Sequence, residues 1–288
     1  MIYEIKNGAL CAKVKSFGAE IVSLMGTEDY EYLWQGDENW GDHAPVLFPI
    51  CGRIKDSKYT YLGKTYEMGL HGLAPYSEFT LESKTEDSIS LSLSSDAESL
   101  KSYPFEFKLT VSYKLSDNKL IATFTVDNKN DCVMPYMFGW HPGFNLDPSC
   151  EVEDYYFDFG VSSDIMLHPV IDRKFILDTV VPFPTDNGKR KVNQAELDDF
   201  DTLILDGVKG YTALRADKPS RTVEVKWSES IAHLAVWRTP LVNSTYICIE
   251  PWTDLPADGT KDEDFETKKM SRLAPNESVV YTCEVTLS

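Results

Sequence analysis

The chain reads as an all-β protein, a sandwich or barrel of antiparallel strands with few short helices, and three observations carry that reading. Apolar and polar residues alternate along many short runs, clusters of Asp, Asn, Ser and Gly separate those runs, and helical periodicity is scarce. With 288 residues and no Gly/Ser- or Pro-rich linker, one domain over residues 1–288 is expected. No repeat of fixed period points to a solenoid or propeller.

In chain order, residues 30–76 depart from the pattern. They gather Trp34, Trp40, His43, Pro45, Phe48, Pro49, Arg53, His71 and Pro75 among glycines and charges, with a hairpin expected over residues 59–66. Long irregular stretches on a β scaffold are where binding residues tend to sit. A strand is expected at 88–95, then a turn or two of helix at 96–101 begun by a capping Ser95. Residues 105–115 alternate strictly, with Phe105, Phe107, Leu109, Val111, Tyr113 and Leu115 on one face, which predicts a half-buried strand. Turn residues at 116–119 lead into a returning strand at 120–126, and residues 127–131 are expected to turn again. A short helix is expected over 194–200 with Asn193 as its cap. Further strands are expected at 222–227, 231–239, 243–250 and 278–287.

Composition narrows the class of ligand. The net charge of −18 disfavours nucleic acid, acidic lipid and phosphorylated ligands as partners, so a neutral small molecule is expected. Fifteen Tyr, fourteen Phe and six Trp predict an aromatic-rich interior or pocket. No membrane span or leader is evident, and the six cysteines form no C-x-x-C pair. They read as reduced structural thiols in a soluble, cytoplasmic protein, monomeric or homodimeric.

The five histidines bound the chemistry. His141 ends an extended segment, Tyr136 to Trp140, and opens a Pro-Gly corner, with Trp140 and Phe144 as neighbours able to desolvate it. His71 sits between glycines in Gly69-Leu70-His71-Gly72, where backbone can approach a ligand closely. His43 and His168 read as loop residues, and His233 as a packed or hydrogen-bonded strand residue. His71 and His141 have the same structural alternative. Glu250 follows the apolar run Tyr246 to Ile249 and precedes Pro251, which is expected to end ladder pairing; it is either an acid/base group or a paired strand-end carboxylate. Arg53 offers a donor fork for sugar hydroxyls or a carboxylate, with a buried salt bridge as its alternative. Asp201 and Asp206 bracket residues 202–205, and either one is suited to bind a polyol. G-x-G-x-x-G, P-loop, G-x-S-x-G and H-E-x-x-H motifs are missing, so neither cofactor nor metal is expected.

Together these residues resemble the aldose 1-epimerase (galactose mutarotase) family. Gly139 to Leu146 is similar to its H-x-x-F-N-L signature, Leu70-His71-Gly72 to its L-H-G motif, Gly52-Arg53-Ile54 to its arginine motif, and Glu250 to its catalytic glutamate. Residues 272–281 resemble the closing L-x-P-G-E-x strand, with Asn276 in place of Gly. The resemblance implies a galactose mutarotase-like β-sandwich and an isomerase of carbohydrate metabolism, with no cofactor. It implies His141 as general acid at the ring oxygen, Glu250 as base at the anomeric hydroxyl, and Arg53, His71 and Asp201 as sugar-binding residues, with stacking on the sugar by Trp34, Trp140 and Trp252. Gly143 would admit the sugar close to His141. Two departures concern the substrate: Pro251-Trp252-Thr253-Asp254 replaces the E-x-Q run, and His71 to Pro75 lacks the arginine of the H-G-F-A-R stretch in hexose-6-phosphate 1-epimerases. The alternatives are such a phosphosugar epimerase or a non-catalytic carbohydrate-binding domain.

Overall fold

The alternating run near residue 105 folds as the strand Phe107–Ser116, paired along its length with Lys119–Asn128. Phe107, Leu109, Val111, Tyr113 and Leu115 are all buried, as are Leu120, Ala122, Phe124 and Val126 opposite them. Each larger apolar side chain so buried contributes roughly 1.5–3 kcal/mol. The computed structural model describes residues 1–288 apart from 27, 28, 161–163, 178 and 219.

Two large antiparallel sheets dominate the described residues. In one, of nine strands, Ser278–Leu287 lies between Val223–Trp227 and Lys119–Asn128, and Phe107–Ser116, Ser88–Ser94 and Thr80–Lys84 follow outward. In the other, Tyr246–Trp252 is central. On one side lie His233–Trp237, Thr202–Asp206 and Met166–His168; on the other lie Gly139–Trp140 and Gly143–Asn145. All seven residues of Tyr246–Trp252 are buried, the mark of a strand covered on both faces. No helix of the described residues is long and apolar enough to cross a membrane.

The expected helix over 194–200 is present, and the Asn193 side chain accepts the Glu196 N–H at 3.2 Å. The hairpin is present as Lys58–Tyr61 and Lys64–Glu67 around Leu62-Gly63, both with positive φ as a two-residue hairpin turn requires. All six cysteines are free.

Four expectations need correction. The helix after Ser95 spans only Ser99–Ser102, because Asp96 accepts the Glu98 and Ser99 N–H groups while Ser95 Oγ accepts from Phe107 N. The strand Lys119–Asn128 runs through Asp127, held opposite Ser278 and hydrogen-bonded to its hydroxyl. His168 lies on a strand, paired opposite Ile204, instead of in a loop. Pro251 does not end the ladder: it stands opposite Leu234, and pairing continues with Trp252 opposite His233. Only alternate residues of an antiparallel strand donate to a given neighbour, so one missing N–H is tolerated.

The irregular segment that walls the site is tied down by Glu20. Its carboxylate is buried, accepts the His43 and Ala44 N–H groups at 2.6 and 2.8 Å, and pairs with the Lys15 ammonium. Burial pushes the carboxyl up, but His43, Lys15 and the Ala44 N–H together hold it at about 2, below an ordinary 4.5. A folded pKa below the unfolded one gives stability that is complete above pH 4.5 and is lost as pH falls toward 2, here about 3 kcal/mol. Glu20→Gln is therefore expected to lower urea-unfolding stability by about that much at pH 7 and by much less at pH 3. An equal loss at both pH values would assign the acid sensitivity elsewhere.

Candidate active site

Strand register builds the centre of the site. Gly139 stands opposite Trp252 and Gly143 opposite Cys248, one continuous register on either side of residue 141. The same register puts His141 opposite Glu250, on the face of the sheet that Tyr246, Cys248 and Trp252 also share. The His141 N–H donates to the Pro45 carbonyl at 3.0 Å and the Ile249 N–H to the Pro142 carbonyl at 3.1 Å, which carries the chain across the corner. His141 Nε2 ends 3.2 Å from Glu250 Oε2.

Both groups are buried, His141 at 7% and Glu250 at 1% exposure, and this burial governs their charge. It lowers His141 to about 4 and raises Glu250 well above the usual carboxylate range. The two push toward the same outcome at pH 7, an uncharged pair that holds one proton between them. Beyond the contact between them and the neighbouring Trp252, whose side chain acts on the Glu250 carboxyl, no hydrogen bond satisfies Glu250 Oε1 or His141 Nδ1. Unpaired polar atoms at a buried spot are costly in a protein interior and mark a place where a polar ligand completes the bonding.

The pair lies in a cleft of about 320 Å³, within the range of small-molecule sites. Arg53, His71 and Asp201 line the same cleft, so all five residues singled out by sequence are brought together. His71 has a positive φ of 59° and Gly72 follows at 82°, where an added Cβ would lie 2.5 Å from the Phe48 carbonyl oxygen. This turn clamps the ring: the His71 N–H donates to the Gly52 carbonyl at 2.9 Å, and His71 Nδ1 accepts from the Gly52 N–H at 3.1 Å. With Nδ1 an acceptor, the ring proton sits on Nε2. Burial, His141 and Arg53 all keep this imidazole neutral. Asp201 follows the Gln194–Phe200 helix, and burial raises its carboxyl. Arg53 is exposed at the cleft and enters no ion pair among the described residues, so the buried salt bridge expected as its alternative is not formed. Arg173 and Lys174 line the same cleft, also without a carboxylate partner among the described residues.

The aromatic wall differs from expectation. Alternation along the strand turns Trp140 away from His141 into the core, where it packs 5.9 Å from Phe124, and Trp34 stacks on Tyr246 outside the cleft lining. Trp40 and Trp237 cover His141, with ring centroids at 5.2 and 5.6 Å, and Trp252 completes the wall. Trp237 was legible only as an alternating strand residue, and Trp40 only as one aromatic of the irregular segment. Nothing local marks Arg173 or Lys174. Gly143 serves Trp40, not a sugar: a Cβ there would lie 2.7 Å from the Trp40 ring. Asp206 is drawn out of the cleft by hydrogen bonds to His168 and His233.

Comparison with known proteins agrees with this architecture. A family model described as aldose 1-epimerase matches residues 1–285. The chromosomal Protein LacX of Lactococcus lactis subsp. lactis is 30% identical over 300 aligned residues, covering 100% of this chain and 99% of its own. A galactose mutarotase related enzyme from Lactobacillus acidophilus superposes with a TM-score of 0.93 at 34% identity, covering 100% of this chain and 97% of its own. A galactose mutarotase-like protein from Lactobacillus casei gives 0.95 at 27% identity, with both chains fully covered.

The contact at Gly143 is testable without reference to activity. Gly143→Ala is expected to force the Trp40 ring off His141 and to cost about 1–3 kcal/mol by urea unfolding. Its tryptophan emission should differ from wild type, and Trp40→Phe should abolish that difference. Wild-type emission and stability in Gly143→Ala would show that the ring does not depend on the missing side chain.

Proposed function

The chain belongs to the aldose 1-epimerase family, and we propose that it interconverts the α and β anomers of a hexose, as one cytoplasmic domain over residues 1–288. The observation that carries this reading is the buried, cross-strand pair of His141 and Glu250, 3.2 Å apart, with Glu250 Oε1 and His141 Nδ1 unpaired.

Opening a hemiacetal ring gives one proton to O5 and removes one from O1. A pair holding a single proton matches that demand and finishes with the same proton count. The proton that Glu250 holds in the neutral pair passes to His141 as the sugar enters; the imidazolium gives it to O5 while the Glu250 carboxylate takes one from O1; the aldehyde rotates about C1–C2; the ring recloses on its other face with the two roles reversed. No oxidation state changes. His71 presents Nε2–H as a neutral donor, Asp201 accepts sugar hydroxyls, and Arg53 donates at the mouth. Trp40, Trp237 and Trp252 supply apolar faces for the sugar ring.

One observation favours a second reading, in which the hexose is anionic, as in a hexose 6-phosphate. Arg53, Arg173 and Lys174 line the cleft without carboxylate partners among the described residues, despite a net charge of −18. Asp42 and Asp201 in the same lining oppose it, and a neutral sugar remains the first reading.

Polarimetry of freshly dissolved α-D-glucose and α-D-galactose, corrected for the spontaneous rate, tests the main reading. Acceleration is expected, and Glu250→Gln should lose about 10²–10⁴-fold while staying folded, since the neutral amide keeps the shape of the carboxyl. Sugar binding without any acceleration across a panel of aldoses would make the protein a binding domain instead. The rate should fall on the acid side near pH 4, where His141 takes a second proton and the pair loses its base. An acid limb centred near pH 6.5 would mean that burial does not set the titration. Competition by glucose 6-phosphate separates the two substrate readings: stronger inhibition than by glucose, weakened in Arg173→Gln, supports the anionic hexose, and equal inhibition rejects it.

A further inference from the structure

Beside the cleft, and separate from its acid/base pair, three strands converge on another cluster. His168 ends Met166–His168, Asp206 ends Thr202–Asp206 and His233 begins His233–Trp237. His168 Nε2 lies 2.8 Å from Asp206 Oδ2, and His233 Nδ1 contacts the other oxygen, Oδ1. The ring centroids are 6.0 Å apart and the planes nearly perpendicular, so both imidazoles aim a nitrogen at one carboxylate from different directions. All three ligand atoms lie within 4.8 Å of one another.

We propose that His168, Asp206 and His233 form a binding site for a divalent transition-metal ion of the zinc class. The donor set, two imidazole nitrogens and one carboxylate oxygen, suits that class and leaves coordination positions open. Ligand atoms of one such ion stand roughly 3 Å apart, so the imidazole nitrogens, now on opposite oxygens of Asp206 and within 4.8 Å of each other, would reach one ion by side-chain rotation that opens both contacts to the carboxylate. Each imidazole would bind through the nitrogen now facing Asp206 and carry its proton on the other ring nitrogen. The open positions face a cavity of about 560 Å³, with room for water as further ligands. Asp254, Asp258, Asp262, Glu263 and Asp264 also line that cavity, with Lys261, Lys268 and Lys269; Lys55 pairs with Asp262, Lys261 with Asp258 and Lys268 with Glu263, no ion pair of Asp254 or Asp264 occurs among the described residues, and the carboxylates outnumber the lysines of the lining. Their field favours a cation.

The bland account of the same cluster is a hydrogen-bonded strut, with Asp206 bridging two neutral imidazoles. What distinguishes a metal site is that the three side chains open on a roomy acidic cavity instead of packed core. Ile176 and Pro256 line both this cavity and the cleft, so a bound ion would brace the wall between them.

The test uses full-length protein stripped with a chelator and then dialysed free of it. Calorimetric titration with Zn²⁺ is expected to show one equivalent bound, and the Co²⁺-loaded protein to show the visible absorption of nitrogen-ligated cobalt. His168→Gln, Asp206→Asn and His233→Gln should each weaken Zn²⁺ binding at least about a hundredfold. Glu250→Gln should leave it unchanged, which separates this site from the nearby His141, Cys248 and Glu250 group. Far-ultraviolet circular dichroism and retained rate acceleration in polarimetry identify variants that remain folded, and the cobalt spectrum of wild type needs no variant. No saturable Zn²⁺ binding by wild type, binding unaltered in folded ligand variants, or loss of binding in Glu250→Gln overturns the proposal.

Discussion

Everything at the centre of this protein depends on one antiparallel register. A strand buried on both faces has no water to spare for a carboxylate, yet Glu250 sits in the middle of one, with His141 opposite on the neighbouring strand. Isolated charges there would be expensive, and leaving either group alone would be worse than removing both. Holding one proton between them avoids the charge, and that one proton is what the proposed chemistry at a hemiacetal would use. The apolar surface of the two packed sheets offsets the polar atoms left unpaired in the cleft.

The sheet supplies the buried pair of His141 and Glu250, and the irregular segment supplies the surroundings. Trp40, Arg53 and His71 all come from residues 30–76, which carry little regular structure of their own. Their placement rests on a few fixed points: the Glu20 carboxylate beneath His43 and Ala44, the close approach of Gly72 to the Phe48 carbonyl, and the two hydrogen bonds between His71 and Gly52. Such a division suits the proposed function, in which acid and base are held rigid to within fractions of an ångström while loops adapt the rest to one ligand.

Local periodicity was read correctly where it decides the structure. The alternation around Leu109 and Val111, the Asn193 cap and the hairpin turn at Leu62-Gly63 follow from neighbours in sequence. The errors share a different cause. Trp140 and Gly143 adjoin His141 in sequence, and adjacency suggested that they face the same ligand; along an extended chain, adjacent side chains point apart, and the space beside Gly143 is taken by a ring over a hundred residues away. Asp206 and Asp201 look equivalent at the two ends of one strand, and only pairing across three strands gives Asp206 to two histidines. Pro251 reads as a terminator because its lack of an N–H is local, whereas which neighbour needs that N–H is not.

Net charge is a coarse guide for a related reason. The value of −18 sums over a surface tens of ångströms across, and salt at physiological strength screens exposed charges beyond about 8 Å. What a ligand meets in the cleft is the local set: Arg53, Arg173 and Lys174 against Asp42 and Asp201, with the His141 and Glu250 pair neutral. That set is close to balanced and slightly cationic. A strongly acidic chain can therefore present a mouth that accepts a neutral sugar and does not repel an anionic one, so substrate charge is decided by a handful of side chains that the whole-chain sum conceals.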